Sequence, residues 1–214
     1  MRLIVLRQIL WPRFFNADTH DGAFTLLNGN NATVSFMNAE LPSLPATKGT
    51  NFVAASLPYA DTRLSMVVVV PNPGQFSQVE SSLNATTLAT LVAGLTNQQA
   101  LLTLPRFKIE TATSLKVLLQ ALGMTSAFIY GTADFSGMDG THNLYISDVF
   151  HDAFINVAEK GTEAAAATAV VVGAGSAAPT GLLVDATHPF IFFLYDQPTG
   201  AILFMGRVQD PSQN

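Results

Sequence analysis

The stretch EKGTEAAAATAVVVGAGSAAPTG, Glu159–Gly181, is followed after six residues by the very apolar HPFIFFLY, His188–Tyr195. The first stretch holds no aromatic residue and, after Lys160, no positive charge. Ala164–Ala167 favour helix and Val170–Val172 favour strand, so the tract is committed to neither state by propensity. In an extended conformation its side chains alternate between two faces. Thr162, Ala164, Ala166, Thr168, Val170 and Val172 form one face, uncharged and mostly small. Glu163, Ala165, Ala167, Ala169 and Val171 form the other, with its one charge. The first face suits burial against a sheet and the second can stay in water. The tract has the pattern of a segment that is exposed in one state and added to a sheet in another. Composition alone is also compatible with a low-complexity surface loop.

The 214 residues suit one domain or two small ones. Hydrophobic residues make up 49% and charged residues 12%, the balance of a globular chain with a large core. A net charge of -5 argues against a nucleic-acid partner, which selects a basic face. The absence of Cys excludes disulfides, Cys-ligated zinc and a thiol nucleophile. No apolar run reaches the length of a membrane span. The opening MRLIVLRQILWPRFF has the outline of a signal peptide, but Arg7 interrupts the apolar part and no small-residue cleavage site follows. It reads better as a buried strand.

Moving along the chain, the order is dominated by strands. GAFTLLNG and ATVSFMNAEL flank an Asn/Gly turn at 28–31 and read as a hairpin. TNFVAASLPYA and TRLSMVVVVPNPG follow as strands, the second ending at Pro71 and Pro73. SQVESSLNATTLATLVAGL places Leu88, Leu91, Val92 and Leu95 at helical spacing, with Asn84 as a cap. ALLTLPRFKIET reads as one strand. SLKVLLQALG reads as a helix with a stripe of Leu115, Leu118, Leu119 and Leu122, capped by Thr113 or Ser114 and stopped at Gly123. LYISDVFHDAFINVAE alternates as one long strand, and HPFIFFLYD and AILFMGRVQDP close the chain as two more.

Enzymatic motifs are absent: no G-x-S-x-G, no G-x-G-x-x-G and no H-E-x-x-H. His20, His142, His151 and His188 are scattered, so no metal cluster is expected. Ser176 has no base among its sequence neighbours to make it a nucleophile. Asn31-Ala-Thr and Asn84-Ala-Thr match the glycosylation triplet, a pattern that also arises by chance.

The neighbours of the tract are more specific. SDVFHDAFINVAEKGTEAAAAT, then a variable apolar stretch, then HPFIFFLYDQPTGAILFMGRVQDP strongly resembles the serpin family. DGAFTLLNG, SMVVVVPNPG and LPRFKIETATSLKVLLQALGMTSAF fit it too, in the family's order. The resemblance runs over about residues 11–214. Thr187 stands where the family's C-terminal signature usually has Asp, Asn or Gln. The opening MRLIVLRQIL matches less well, and the family's early helices and first main-sheet strands have no counterpart. The chain therefore resembles the C-terminal portion of one α+β serpin domain, with the N-terminal part missing.

The resemblance implies an inhibitor of serine proteases, not an enzyme, with no cofactor and no metal. A protease attacks an exposed loop, here within residues 159–188, and the cut loop inserts as a strand into the main sheet. The hinge would be Glu159, Lys160, Gly161, Thr162, Glu163, Ala164, Ala165, Ala166, Ala167 and Thr168. The reactive bond would lie between Gly175 and Ser176. His151 would be a structural latch where the sheet opens, and Arg106 would pair with Glu159 at the hinge. The hinge has no bulky side chain, no charge and no Pro between Ala164 and Val172, as insertion requires. No Arg or Lys occurs between Lys160 and Arg207, so elastase-like or subtilisin-like proteases are the expected partners and trypsin-like ones are not. Neither nucleic acid nor membrane is expected as a partner. The family's habit implies an extracellular location. The alternative is a non-inhibitory, truncated serpin-fold protein with a binding or structural role.

Overall fold

The computed structural model describes residues 9–10, 19–60, 63–159, 161–162 and 181–213. The chain divides into two compact units, one of Met1–Val5 and Ile109–Ile155, the other of Leu6–Lys108 and Asn156–Asn214.

The second unit is built on an eight-stranded sheet. Its strands include β2 (Thr19–Thr25), β3 (Asn31–Lys48), β4 (Phe52–Pro58), β5 (Leu64–Pro71) and β6 (Thr96–Pro105). The rest are β10 (Leu182–Asp185), β11 (Phe190–Asp196) and β12 (Ile202–Val208). The order is β10-β6-β3-β4-β5-β11-β12, with β2 added to β3 as the expected hairpin. The long strand β3 serves two sets of neighbours. Asn31–Met37 pair with β2, residues between Phe36 and Ala46 pair with β6, and Ala46–Lys48 pair with β4. The β3–β6 register shifts between Leu41 and Leu44, at Pro42, which has no N–H to donate to a ladder.

β5 reads as a continuous apolar run because both of its faces are covered. On one side Val67 and Val69 pack with Ile191 and Phe193 under two helices, α1 (Phe76–Ser82) and α2 (Ala85–Ala93). On the other side of β11, Phe190 and Phe192 meet Phe107 at ring distances of 5.7 and 5.3 Å. The helical spacing of Leu88, Leu91 and Val92 falls in α2, with Asn84 as its cap, and α1 precedes it. Asn84 begins α2. Its Oδ1 accepts from the N–H groups of Thr86 (2.9 Å) and Thr87 (3.0 Å), and the Thr87 hydroxyl accepts from the Asn84 N–H at 2.8 Å. This reciprocal cap satisfies N–H groups that a helix start leaves free.

The strand expected across residues 100–111 is also two elements. β6 ends at Pro105, Arg106 lies in no strand, and β7 (Phe107–Ser114) continues in another sheet.

In the first unit β7 is the neighbour of β8 (Phe150–Ala158). The strand expected from Leu144 therefore starts six residues later. The backbone before it bonds elsewhere: the Ile146 N–H donates to the Ala127 carbonyl, Ser147 O accepts from Lys116, and Val149 O accepts from the Leu115 N–H. The helix expected at residues 114–123 is α3 (Lys116–Ala121). Ser114 ends β7 instead of capping α3, and its hydroxyl donates to Asp148 at 2.6 Å. Gly123 ends the turn at φ 99°, a left-handed conformation that favours Gly. The expected leucine stripe is largely uncovered, Leu122 being 84% exposed. Among the described residues of this unit, α4 (Ser136–Asp139) is the other α-helix.

Two short strands complete the four-stranded sheet in the order β1-β9-β8-β7: β1 (Ile9–Leu10) and β9 (Gly161–Thr162).

Candidate functional site

Glu159 occupies the turn immediately after β8, where the quoted tract begins. Two side chains from distant parts of the chain converge on its carboxylate. Arg106, between β6 and β7, donates from Nε to Glu159 Oε1 at 2.8 Å, and its Nη2 reaches the same oxygen. Thr19, the first residue of β2, donates its hydroxyl to that oxygen at 2.6 Å. The Glu159 side chain is 12% exposed and that of Arg106 46% exposed. Burial pushes the Glu159 carboxyl up. The hydrogen bonds from Arg106 and Thr19, with the Arg106 charge, outweigh burial and hold it below its ordinary value.

Pairing Arg106 with Glu159 was expected from sequence, but Thr19 was not. A lone Thr in NADTHDG carries no signal for a partner 140 residues away.

Gly161 and Thr162 stand in β9, between two strands. Val157 and Ala158 of β8 pair with Thr162 and Gly161, and Ile9 and Leu10 of β1 pair with the same two residues on the other side. This part of the expected hinge is therefore strand. Of the other expected site residues, Lys160, Glu163, Ala164, Ala165, Ala166, Ala167, Thr168, Gly175 and Ser176 lie outside the described residues.

The span 159–188 is not loop to its end. Leu182–Asp185 form β10, parallel to β6, with Leu182 opposite Ala100 and Asp185 opposite Thr103. Gly181 leads in at φ 144°, and a Cβ there would lie 2.9 Å from the Gln99 carbonyl oxygen. Only Gly allows the chain so close to β6. Beyond β10, Ala186 N donates to Thr103 O, Thr187 O accepts from Thr25 N, and His188 Nε2 lies 2.6 Å from Pro71 O. In the four residues Leu182–Asp185 only Val184 has strong strand propensity, too weak a sequence signal to mark β10.

His151 lies near the start of β8 and is exposed, as are Phe150 and Asp152 beside it. The alternating burial that begins at Ile155 does not extend back to His151. Among the described residues, no three His, Asp or Glu side chains group as metal ligands. No described helix is long and apolar enough to cross a membrane.

The model of the family described as serpin (serine protease inhibitor) matches residues 4–211. The chain belongs to the serpin family. The match takes in most of the opening stretch, which sequence reading had set aside as a poor fit. An uncharacterized serpin-like protein of Thermococcus kodakarensis is 38% identical over 201 residues, covering 93% of this chain and 46% of that protein. The leukocyte elastase inhibitor of Xenopus tropicalis is 35% identical over 209 residues, covering 94% of this chain and 55% of that protein. Among solved structures, the thermophilic serpin tengpin in its native state superposes with a TM-score of 0.79 at 32% identity, over 94% of this chain and 52% of that one. This serpin chain thus has the serpin fold and spans about half the length of the relatives it matches.

Proposed function

We propose that this chain presents Glu163–Thr180 as bait to serine proteases that prefer small residues, with the reactive bond between Gly175 and Ser176, and that it inhibits them by inserting the cut tract. The observation that carries the reading is the combination of β9 with its sequel. Gly161 and Thr162 stand as the first residues of a new strand between β8 and β1. The residues that follow, Ala164–Val172, include nothing bulky or charged to stop that strand from growing. Arg106 and Thr19 hold Glu159 at the base, which fixes where insertion starts. A relative carrying the name leukocyte elastase inhibitor supports both the inhibitory reading and the preference for small residues.

A non-inhibitory binding role is the second reading, favoured by the exposed apolar side chains of Ile202, Leu203 and Met205 on β12. Digestion with an elastase, a subtilisin and trypsin, followed by mass spectrometry and denaturing gels, separates these readings. Elastase or subtilisin should cut between Val172 and Ser176, and trypsin should leave residues 164–188 intact. An SDS-stable adduct with the protease marks inhibition. Cleavage without an adduct supports the second reading, and trypsin cutting between Ala164 and His188 as fast as elastase refutes the bait assignment.

A further inference from the structure

The segment from Ala127 to Ile146 is closed into a loop by the Ile146 N–H, which donates to the Ala127 carbonyl at 2.9 Å. The closure brings Tyr130 and Tyr145, near the two ends, edge to face with ring centroids 5.9 Å apart. A ring left in water forgoes the burial that aromatic side chains ordinarily supply. Here Tyr130 is 64% exposed and Tyr145 46% exposed. The Tyr130 hydroxyl donates to Asn143 Oδ1 at 3.4 Å, which ties the ring to the returning arm of the loop.

Two carboxylates lie beside the rings. His142 Nδ1 is 3.5 Å from Asp134 Oδ1, and His142 precedes Asn143 in the chain, so the Asp134 carboxylate and Tyr130 reach adjacent residues. Asp139, at the end of α4, is the second, close enough to feel the His142 charge. Both carboxylates are held in place. Asp134 Oδ1 accepts from the Ser136 hydroxyl at 2.7 Å and from the Ser136 N–H at 3.1 Å. Asp139 accepts from the Thr141 N–H at 2.9 Å and from the Thr141 hydroxyl at 2.8 Å. These hydrogen bonds keep both carboxyls below their ordinary value, so they stay ionised in mild acid.

The charge around the loop has one sign. No Lys or Arg occurs between Lys116 and Lys160, whereas Asp134, Asp139, Asp148 and Asp152 fall in that span. Lys116 is itself engaged: its Nζ donates to the Ser147 carbonyl at 3.0 Å and lies 5.9 Å from the Phe128 ring centroid. Exposed aromatic faces attract cations, and fixed carboxylates beside them add to the attraction.

The geometry points to a docking site on this loop for a Lys- or Arg-rich segment of a partner protein. One cationic side chain lies over the Tyr130 and Tyr145 rings, and the next reaches Asp134 and Asp139. The site is separate from the bait and does not depend on it. His142 makes the docking sensitive to pH. Histidine takes up its proton between about pH 8 and pH 5. The imidazolium then competes with the incoming cation for Asp134 and Asp139, the carboxylates that face it.

The test titrates the full chain at low salt with acetylated tetralysine amide, followed by calorimetry and by the nuclear magnetic resonance signals of the tyrosine rings. At about pH 8 the Tyr130 and Tyr145 signals should shift and those of Tyr59 and Tyr195 should not. Tyr145→Leu and Asp134→Asn should each weaken binding about 2- to 5-fold, and Tyr145→Phe, which keeps the ring, should not. Asp152→Asn, an exposed carboxylate outside the loop, should leave binding unchanged. Lowering the pH to about 5.5 should weaken binding by a similar factor, and His142→Gln should abolish that fall. All four substituted positions are exposed, and circular dichroism checks that each variant keeps its fold. The site would be overturned by the absence of a shift at either ring, or by equal losses in Asp134→Asn and Asp152→Asn. Binding of spermine, a polyamine of equal charge, as tightly as the peptide would overturn the assignment to a protein segment.

Discussion

Replacing Arg106 with alanine should destabilise the chain by about 1–2 kcal/mol at neutral pH, and the loss should vanish in acid. The magnitude follows from two limits. An exposed ion pair contributes about 0–1 kcal/mol, and stranding a fully buried charge costs about 3–5 kcal/mol. The pair at the base of the tract lies between them, since Arg106 is 46% exposed and Glu159 only 12%. Thr19 remains to satisfy the Glu159 carboxylate at 2.6 Å, which keeps the loss toward the lower limit. The pH dependence has a definite sign. The folded chain holds the Glu159 carboxyl below its ordinary value. The stability it contributes is therefore fully present above the unfolded value and is lost as pH falls through the folded one. Urea denaturation of wild type and Arg106→Ala at pH 7 and at about pH 3 measures this. The midpoints should differ at neutral pH and converge in acid as Glu159 protonates. Equal midpoints at pH 7, or a difference that persists unchanged in acid, would refute the assignment of a charge-dependent tether.

Other residues offer simpler tests. Thr19→Val removes a single hydrogen bond to a charged group and should cost about 1.5 kcal/mol, with less than additive loss when combined with Arg106→Ala, because both act on one oxygen. An additive double-mutant cycle would show that they act separately. Asn84→Ala breaks the reciprocal cap of α2 and should cost about 1 kcal/mol, whereas Asn84→Asp should lose much less; equal midpoints for Ala and wild type would deny the cap a role. Gly206→Ala places a Cβ 2.7 Å from the Phe192 ring, which is buried against Phe107. Overpacking there should cost about 1–3 kcal/mol in thermal or chemical unfolding, and an unchanged midpoint would mean that the ring can move aside.

Much of the sheet was legible in the residues. Alternation and turn residues located the β2–β3 hairpin, and the apolar runs located β5 and β11, because each of these patterns is local to its own strand. The errors have a common cause. Pro105 and Arg106 split one apparent strand between two sheets, and Leu144–Val149 satisfy their backbone groups outside any ladder. Nothing within those segments distinguishes one set of partners from another. The leucine stripe of α3 was equally visible, but periodicity shows which face is apolar and not what covers it.

At the base of the tract the division is sharper. The family resemblance, the small uncharged face of residues 162–172 and the absence of Lys and Arg from residues 161–206 are readable from composition and order along one segment. It takes the folded chain to reveal that Thr19 shares Glu159 with Arg106, that Gly161 and Thr162 stand as strand between β8 and β1, and that Leu182–Asp185 form β10 beside β6. Each of these brings together residues from distant parts of the chain. Hydrogen bonds of that kind depend on where the strands are placed by packing elsewhere, and no local pattern encodes them.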